Sequence, residues 1–356
     1  MFLKRLLSND MPKSRLLAVL LLAVFIALAF APFIFPGVKA LSVAAKILVF
    51  VVLVASFDLL LGYTGIVSFA HTMFFGIGAY GIAISASRLG PNWGAVLVGL
   101  GASLAISLVL SFAIGLFSLR VRAIFFAMIT LAVASAFQTL ASQLSDFTGG
   151  EDGLTFKLPE LISPSFEFAE EPFLGVSLDG RLLCYYLLFV ATVVLVLALL
   201  RIVNSPFGRV LQAIRENEFR AEALGYRTMV YRIWANCLAA LVAALAGALM
   251  ALWLRYVGPK TSLGFEVMTD ILLIVVIGGM GTMYGAVVGA ALFILAQNYL
   301  KTLMGQASDM LSGVPLLAAA LHPDRWMLWL GVLFILSIYF FPIGIVGKLR
   351  LRRAAR

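Results

Sequence analysis

Polar side chains within or beside the long apolar stretches of this 356-residue chain are few, Asp58, His71, Gln138, Asn236 and Asp270 among them. An ionisable group at membrane depth costs roughly 2.5–3.5 kcal/mol on insertion scales, so each such position invites a functional reading. Bond-making chemistry would need these groups paired at fixed spacing. No carboxylate–histidine pair at helical spacing offers a proton relay. No H-E-x-x-H, nucleophile elbow or cysteine–histidine constellation occurs either, so no residue is assigned a catalytic or metal-binding role. Asp58 and Asp270 fall near the ends of apolar segments, where water is expected to reach them, and His71 is expected to hydrogen-bond at a helix end. Cys184 and Cys237 lack metal spacing and read as buried apolar thiols. Gly76, Gly78 and Gly81 match the dinucleotide fingerprint G-x-G-x-x-G, but no strand precedes them and the segment is apolar. These glycines instead let helix backbones approach closely, as do Gly285 and Gly289. The fragment Gly258-Pro259-Lys260-Thr261 lacks the spacing of G-x-x-x-x-G-K-[ST]. Any ATP that drives this protein therefore binds another chain.

The elements that position these residues are membrane helices. Hydrophobic residues make up 63% of the chain, only 12% are charged, and the mean hydropathy is +1.07. A soluble domain carries about 25% charged residues, whereas apolar runs of about 18 or more are transmembrane candidates. Ten such segments are expected, near residues 16–35, 41–61, 72–88, 94–118, 122–144, 182–203, 233–254, 266–280, 283–300 and 326–341. The predicted fold class is an all-α polytopic membrane protein with about ten (eight to ten) crossings, forming one transmembrane domain over residues 1–356. The division around Gly278-Gly279-Met280-Gly281 is the weakest, since one broken helix fits as well as two. The apolar run at 16–31 exceeds a signal-peptide core and is read as an uncleaved first helix.

Charge orients the spans. Lys4, Arg5, Lys13, Arg15, Lys348, Arg350, Arg352, Arg353 and Arg356 cluster at the two ends, which places both termini in the cytoplasm. The net charge of +9 thus reports membrane topology and not nucleic-acid binding. With the N-terminus inside, Arg120, Arg122 and the polar island at 204–232 are cytoplasmic. The segment 145–181, with Asp146, Glu151, Asp152, Glu160, Glu167, Glu170, Glu171 and Asp179, is extracytoplasmic. So is 301–325. The loop 255–265 falls outside despite Arg255 and Lys260.

Within the island, Ser205-Pro206 is a helix start and Gly225 a helix stop. Phe207, Val210, Leu211, Ile214, Ala221 and Leu224 recur at helical spacing and predict one amphipathic helix with an apolar stripe. Glu216 is expected to pair with Arg220 four residues on. A lipid-surface helix is one reading. Glu216, Glu218 and Glu222 would oppose anionic headgroups, so a groove in a partner protein suits the segment better.

Four segments taken together resemble the M-type permease subunits of branched-chain amino acid ABC importers, from about residue 45 to 348. They are GYTGIVSFAHTMFFGIGAYG at 62–81, FTGGEDGLTF at 147–156, FGRVLQAIRENEFRAEALGY at 207–226 and IGGMGTMYGAVVGAAL at 277–292. The resemblance implies an ABC importer permease fold in the bacterial inner membrane. Its implied partners are two ATPase subunits carrying ATP and Mg, a second and related permease chain, and an extracytoplasmic binding protein; the chain itself would hold no cofactor. It implies an ATPase-coupling element made of Ile214, Arg215, Glu216, Asn217, Glu218, Ala221, Glu222, Leu224 and Gly225. It implies a translocation path with helix breaks at Gly62, Tyr63, Thr64, Gly65, Ser68 and His71 and at Gly278, Gly279 and Gly281. Thr148, Gly149, Gly150, Asp152 and Gly153 would shape the outer mouth.

The broader importer signature places glycine four residues after E-A-A, and Glu222-Ala223-Leu224-Gly225 matches it only in part. The long acidic segment 145–181, the segment 301–325 and the basic C-terminal tail depart from a minimal member. They leave branched-chain amino acids, urea and short amides open as substrates. An ion-coupled secondary transporter is the reading from another class, and it would depend on Asp58, Asp270 or His71.

Overall fold

The computed structural model describes residues 14–34, 37–118, 123–164, 166–167, 178–310 and 322–351. Lys4, Arg5, Lys13, Arg120, Arg122, Glu170, Glu171, Arg352, Arg353, Arg356 and the stretch 311–321 lie outside the described residues.

All ten apolar segments fold as helices. Leaving short helical turns aside, the chain runs α1 Arg15–Ala29, α2 Val38–Thr64, α3 His71–Leu89, α4 Trp93–Ser118, α5 Ala123–Gln143 and α6 Gly180–Val203. After α6 come α7 Pro206–Glu216, α8 Glu218–Ala223 and α9 Thr228–Leu254. The last helices are α10 Phe265–Gly278, α11 Met283–Met310, α12 Trp326–Phe340 and α13 Gly344–Leu351. Among the described residues, 8 helices are long and apolar enough to cross a membrane; α1, at 15 residues, is shorter. The α2 run is rich in Val, Leu, Phe and Ala and has no proline, and its 27 residues reach about 40 Å, more than the ~30 Å hydrocarbon core. By the same rise α10 spans only about 21 Å and crosses only as part of the continuous run Pro259–Gly278.

Burial sorts the helices into centre and rim. α2, α3 and α9 are buried along most of their length, while α4, α5 and α12 turn large apolar side chains outward. α3 packs on α9 backbone to backbone. A Cβ on Gly78 would stand 1.8 Å from the Ala244 carbonyl oxygen, and one on Gly247 1.8 Å from that of Phe75. The expected role of the Gly76–Gly81 segment is thus borne out inside a helix and not at a phosphate loop. Gly285 and Gly289 likewise let α11 lie against the backbone of α10. Polar cross-ties complete the bundle: Asn236 Nδ2 donates to Ser111 O at 2.8 Å, and Tyr186 OH donates to Ala29 O at 3.0 Å, receiving a carbonyl freed at the end of α1.

Several boundaries move. The weak division resolves into two helices, α10 and α11, because Gly279 (φ 115°) and Gly281 (φ 76°) take backbone conformations that break a helix. α11 continues into the segment 301–325 as far as Met310. Similarly, 228–232 of the polar island is the first turn of α9, and 180–181 of the acidic segment begins α6 under an Asp179 cap. Loop 255–265 joins the same end of the bundle as 145–164 by pairing β1 Leu154–Thr155 with β2 Tyr256–Val257, antiparallel.

Replacing Gly78 by leucine tests the α3–α9 contact. Overpacking costs about 1–3 kcal/mol where side chains can yield, and a backbone carbonyl yields less. Gly78→Leu is expected to abolish monodisperse protein in detergent, measured by size exclusion, whereas Gly37→Leu, with nothing within 4 Å of its Cβ, leaves the yield unchanged.

Candidate functional site

Three sequence segments far apart in the chain converge at the bundle end opposite the strand pair. The last turn of α2 stops at Gly65 (φ 74°), whose left-handed conformation ends the helix and leaves carbonyls such as that of Gly62 without an intrahelical partner. The Arg215 guanidinium from α7 donates through Nη1 to Gly62 O. A cation is thereby placed at the negative end of a helix, where it is stabilised. One turn earlier, Asp58 is buried, and its Oδ1 accepts from the Gly281 N–H at 2.8 Å. That N–H belongs to the turn leading into α11, so the carboxylate lies at a helix N-terminus, the favourable side for an anion. Gly62 and Gly281 touch: a Cβ on Gly62 would stand 2.3 Å from Gly281 N and 2.1 Å from Asp58 Oδ1. A cleft of about 430 Å³ opens here, lined by Gly62, Tyr63, Gln212, Arg215, Glu216 and Gly281.

The expectation that Asp58 sits near water is therefore corrected. α2 runs one turn past the predicted segment end, to Thr64, and carries Asp58 into the interior. His71, the first residue of α3, is fully buried with Nε2 2.8 Å from Ser56 Oγ, a bond to the neighbouring helix α2 and not to a helix end. Ser68 is buried in the connection between α2 and α3. Asp270 is half-buried and accepts from Gln297 Nε2 at 3.2 Å.

The predicted single amphipathic helix is two. Asn217 leaves the helical region (φ −160°, ψ 100°) and its side chain caps α8 by accepting from Arg220 N at 2.9 Å. An Asx cap competing with helix continuation explains the break. It also takes Glu216 and Arg220 out of i,i+4 register. Glu218 instead accepts from Nη1 and Nη2 of Arg232, at 2.5 and 3.0 Å, and Glu222 accepts from Thr228 Oγ1 at 2.8 Å. Ser205 and Gly225 (φ 91°) start and stop the pair as expected.

The stripe read as a partner-facing surface is largely spent inside the chain. Leu211, Ile214 and Ala221 are buried, and Phe207 stacks on Tyr231 with ring centroids 5.7 Å apart. What remains outward at the tip is Phe219, 85% exposed, and Leu224, 72% exposed, with Glu216, Asn217 and Gly225 beside them. Phe219 falls off the stripe, and its only sequence signal is a large aromatic among charges.

At the other end, Thr148 is buried and donates to Ala141 O and Leu144 O. Gly149, Gly150 and Gly153 all have positive φ, and a Cβ on Gly153 would meet Val257 O at 2.4 Å. Tyr256 OH donates to Asp152 O at 3.0 Å. These residues form a knot that fastens the 145–164 segment to the loop after α9.

The family described as "Branched-chain amino acid transport system / permease component" matches residues 39–320. Over 296 residues the chain is 26% identical to the high-affinity branched-chain amino acid transport system permease protein LivM of Salmonella typhimurium, covering 80% of this chain and 68% of that one. The probable branched-chain amino acid transport permease protein LivM of Methanocaldococcus jannaschii is 24% identical over 261 residues, 71% of this chain and 70% of the relative. The autoinducer 2 import system permease protein LsrC of Escherichia coli is 30% identical over 187 residues, 50% of each chain. No solved structure matches.

The convergence at Gly281 is open to test. Asp58→Ala strands a buried N–H, a loss of about 1–3 kcal/mol, whereas Asp58→Asn keeps an acceptor. The expected order of thermal midpoints in detergent is wild type, then Asp58→Asn, then Asp58→Ala. Equal midpoints for all three would remove the hydrogen bond from the account.

Proposed function

Because the chain belongs to the permease-component family of branched-chain amino acid transport systems, we propose that it is the membrane half of an ATP-driven importer. It is a multi-pass inner-membrane transport subunit and not an enzyme. In this reading it forms the translocation path for branched-chain amino acids, or a related small polar solute, delivered by an extracytoplasmic binding protein. ATP and Mg are held by two partner ATPase subunits, and a second, related permease chain completes the path. Both termini and the segment 204–232 face the cytoplasm, while 145–181 and the end of α11 face outward.

The observation that carries the proposal is the bond from Arg215 to Gly62. The charged helix pair α7–α8 protrudes from one end of the bundle and is tied through this guanidinium to the helix break beside Gly281. A partner that moves α7 therefore pulls on the ends of α2 and α10–α11. Of the residues assigned to coupling, Ile214 and Ala221 support α7 and α8 from inside. Arg215, Glu218 and Glu222 hold the pair to the bundle, and Glu216, Asn217, Leu224 and Gly225 are left for the partner. Phe219 joins that set as its aromatic anchor, in keeping with the weight of buried aromatics at interfaces.

Affinity purification of the tagged chain from its host, followed by mass spectrometry, tests the assembly. Two ATPase subunits, a second permease and a binding protein are expected; recovery of this chain alone, still transporting under an ion gradient, would overturn the proposal. Within the assembled complex, Phe219→Asp should weaken ATPase association by about thirtyfold or more, the loss typical of a hot spot worth 2 kcal/mol. Arg215→Ala should instead leave association intact and lower substrate-stimulated ATP hydrolysis.

A further inference from the structure

Lys46, Gln297 and Asp270 come from α2, α11 and α10 and meet inside the bundle. Lys46 Nζ donates to Gln297 Oε1 at 2.9 Å, and Gln297 Nε2 donates to Asp270 Oδ2 at 3.2 Å. The amide turns its acceptor to the ammonium and its donor to the carboxylate. No ion pair joins Lys46 to Asp270 among the described residues. Each end of the chain of bonds keeps capacity to spare, since an ammonium has three donors and a carboxylate about four acceptor sites. All three side chains are partly exposed and not sealed in the core.

Depth and approach point the same way. Lys46 lies about 12 Å along α2 from Val38, and Asp270 about 8 Å along α10 from Phe265, both counted from the end that carries the strand pair. Lys39, Ser42 and Lys46 share one face of α2, and Arg181 reaches Ser42 Oγ at 3.4 Å. A polar track thus leads from the outer end to the three residues. Ionisable groups at membrane depth are expensive, and their presence there points to a function.

We propose that Lys46, Gln297 and Asp270 bind the zwitterionic head of an α-amino acid in the membrane. Lys46 takes the α-carboxylate, Asp270 takes the α-ammonium, and Gln297 holds the two charges apart and in register. The inference rests on the importer reading above, and it narrows the cargo to solutes that carry both charges.

The test is L-leucine uptake into proteoliposomes holding the complete transporter, with binding protein outside. In complexes that assemble, Lys46→Met and Asp270→Asn should each lower uptake by about tenfold or more, as expected when one partner of a charged contact to the solute is removed. Lys46→Arg should retain most of the uptake. Normal uptake in both neutral variants overturns this site alone. Absence of leucine uptake by the unsubstituted complex overturns the importer reading for this cargo and the site with it. Should the neutral variants fail to assemble, Gln297→Cys in a Cys184→Ser, Cys237→Ser background decides. Reaction with an aqueous methanethiosulfonate that L-leucine and binding protein together slow supports the site; no reaction, or reaction that they do not slow, overturns it.

Discussion

In hydrocarbon no water receives a freed backbone group, so a membrane helix can break only where the protein supplies the missing partner. That constraint shapes the junction between α2, α7 and the α10–α11 turn. Breaking α2 at Gly65 frees carbonyls, and the Arg215 guanidinium accepts the duty at Gly62. The turn at Gly279–Gly281 frees N–H groups, and the Asp58 carboxylate receives that of Gly281. Each charged side chain sits at the helix end whose dipole favours it. Two breaks, two opposite charges and the close approach of Gly62 to Gly281 therefore form one mutually dependent unit, in which removal of Arg215 or Asp58 takes the side-chain partner from a backbone group.

The glycines explain why the unit is so close-set. Gly62 admits both Asp58 Oδ1 and Gly281 N to within a distance no Cβ would tolerate, and the same economy recurs where α3 meets α9 at Gly78 and Gly247. Close backbone approach replaces the hydrophobic driving force that membrane helices lack among lipid tails. A tightly packed centre of α2, α3 and α9 results, around which α4, α5 and α12 turn large apolar side chains outward.

Much of this was legible in the sequence. Uninterrupted apolar runs specify membrane helices by length and composition alone, so all ten segments were found and only their ends moved. Cap chemistry at Ser205-Pro206 and Gly225 is local and was equally readable. Partners set by three-dimensional contact were not. Asp58 looked wet because its distance to a segment end was counted along the chain, and the extra turn of α2 could not be foreseen. The island read as one helix because its apolar spacing continues through Asn217; the capping side chain that wins there is a local competitor that periodicity does not register. Lys46 was passed over within a strongly apolar segment, since a single charge says nothing of the Gln297 that receives it 251 positions later.

How the protruding helix pair is held decides what it can transmit. α8 is anchored to the start of α9 by Glu218 with Arg232 and by Glu222 with Thr228, and α7 to the end of α2 by Arg215. Its apolar side is closed against the bundle by Leu211, Ile214 and Ala221. A segment fixed at three places cannot swing independently of the helices beneath it. Under the proposed function, force applied by an ATPase at Phe219 and Leu224 passes into the last turn of α2 at Gly62 and the turn at Gly281, where the positive-φ glycines Gly65, Gly279 and Gly281 make the backbone most able to give. Glu218 and Glu222, which on sequence spacing faced outward to a partner, act in the fold as the ties that make such transmission possible.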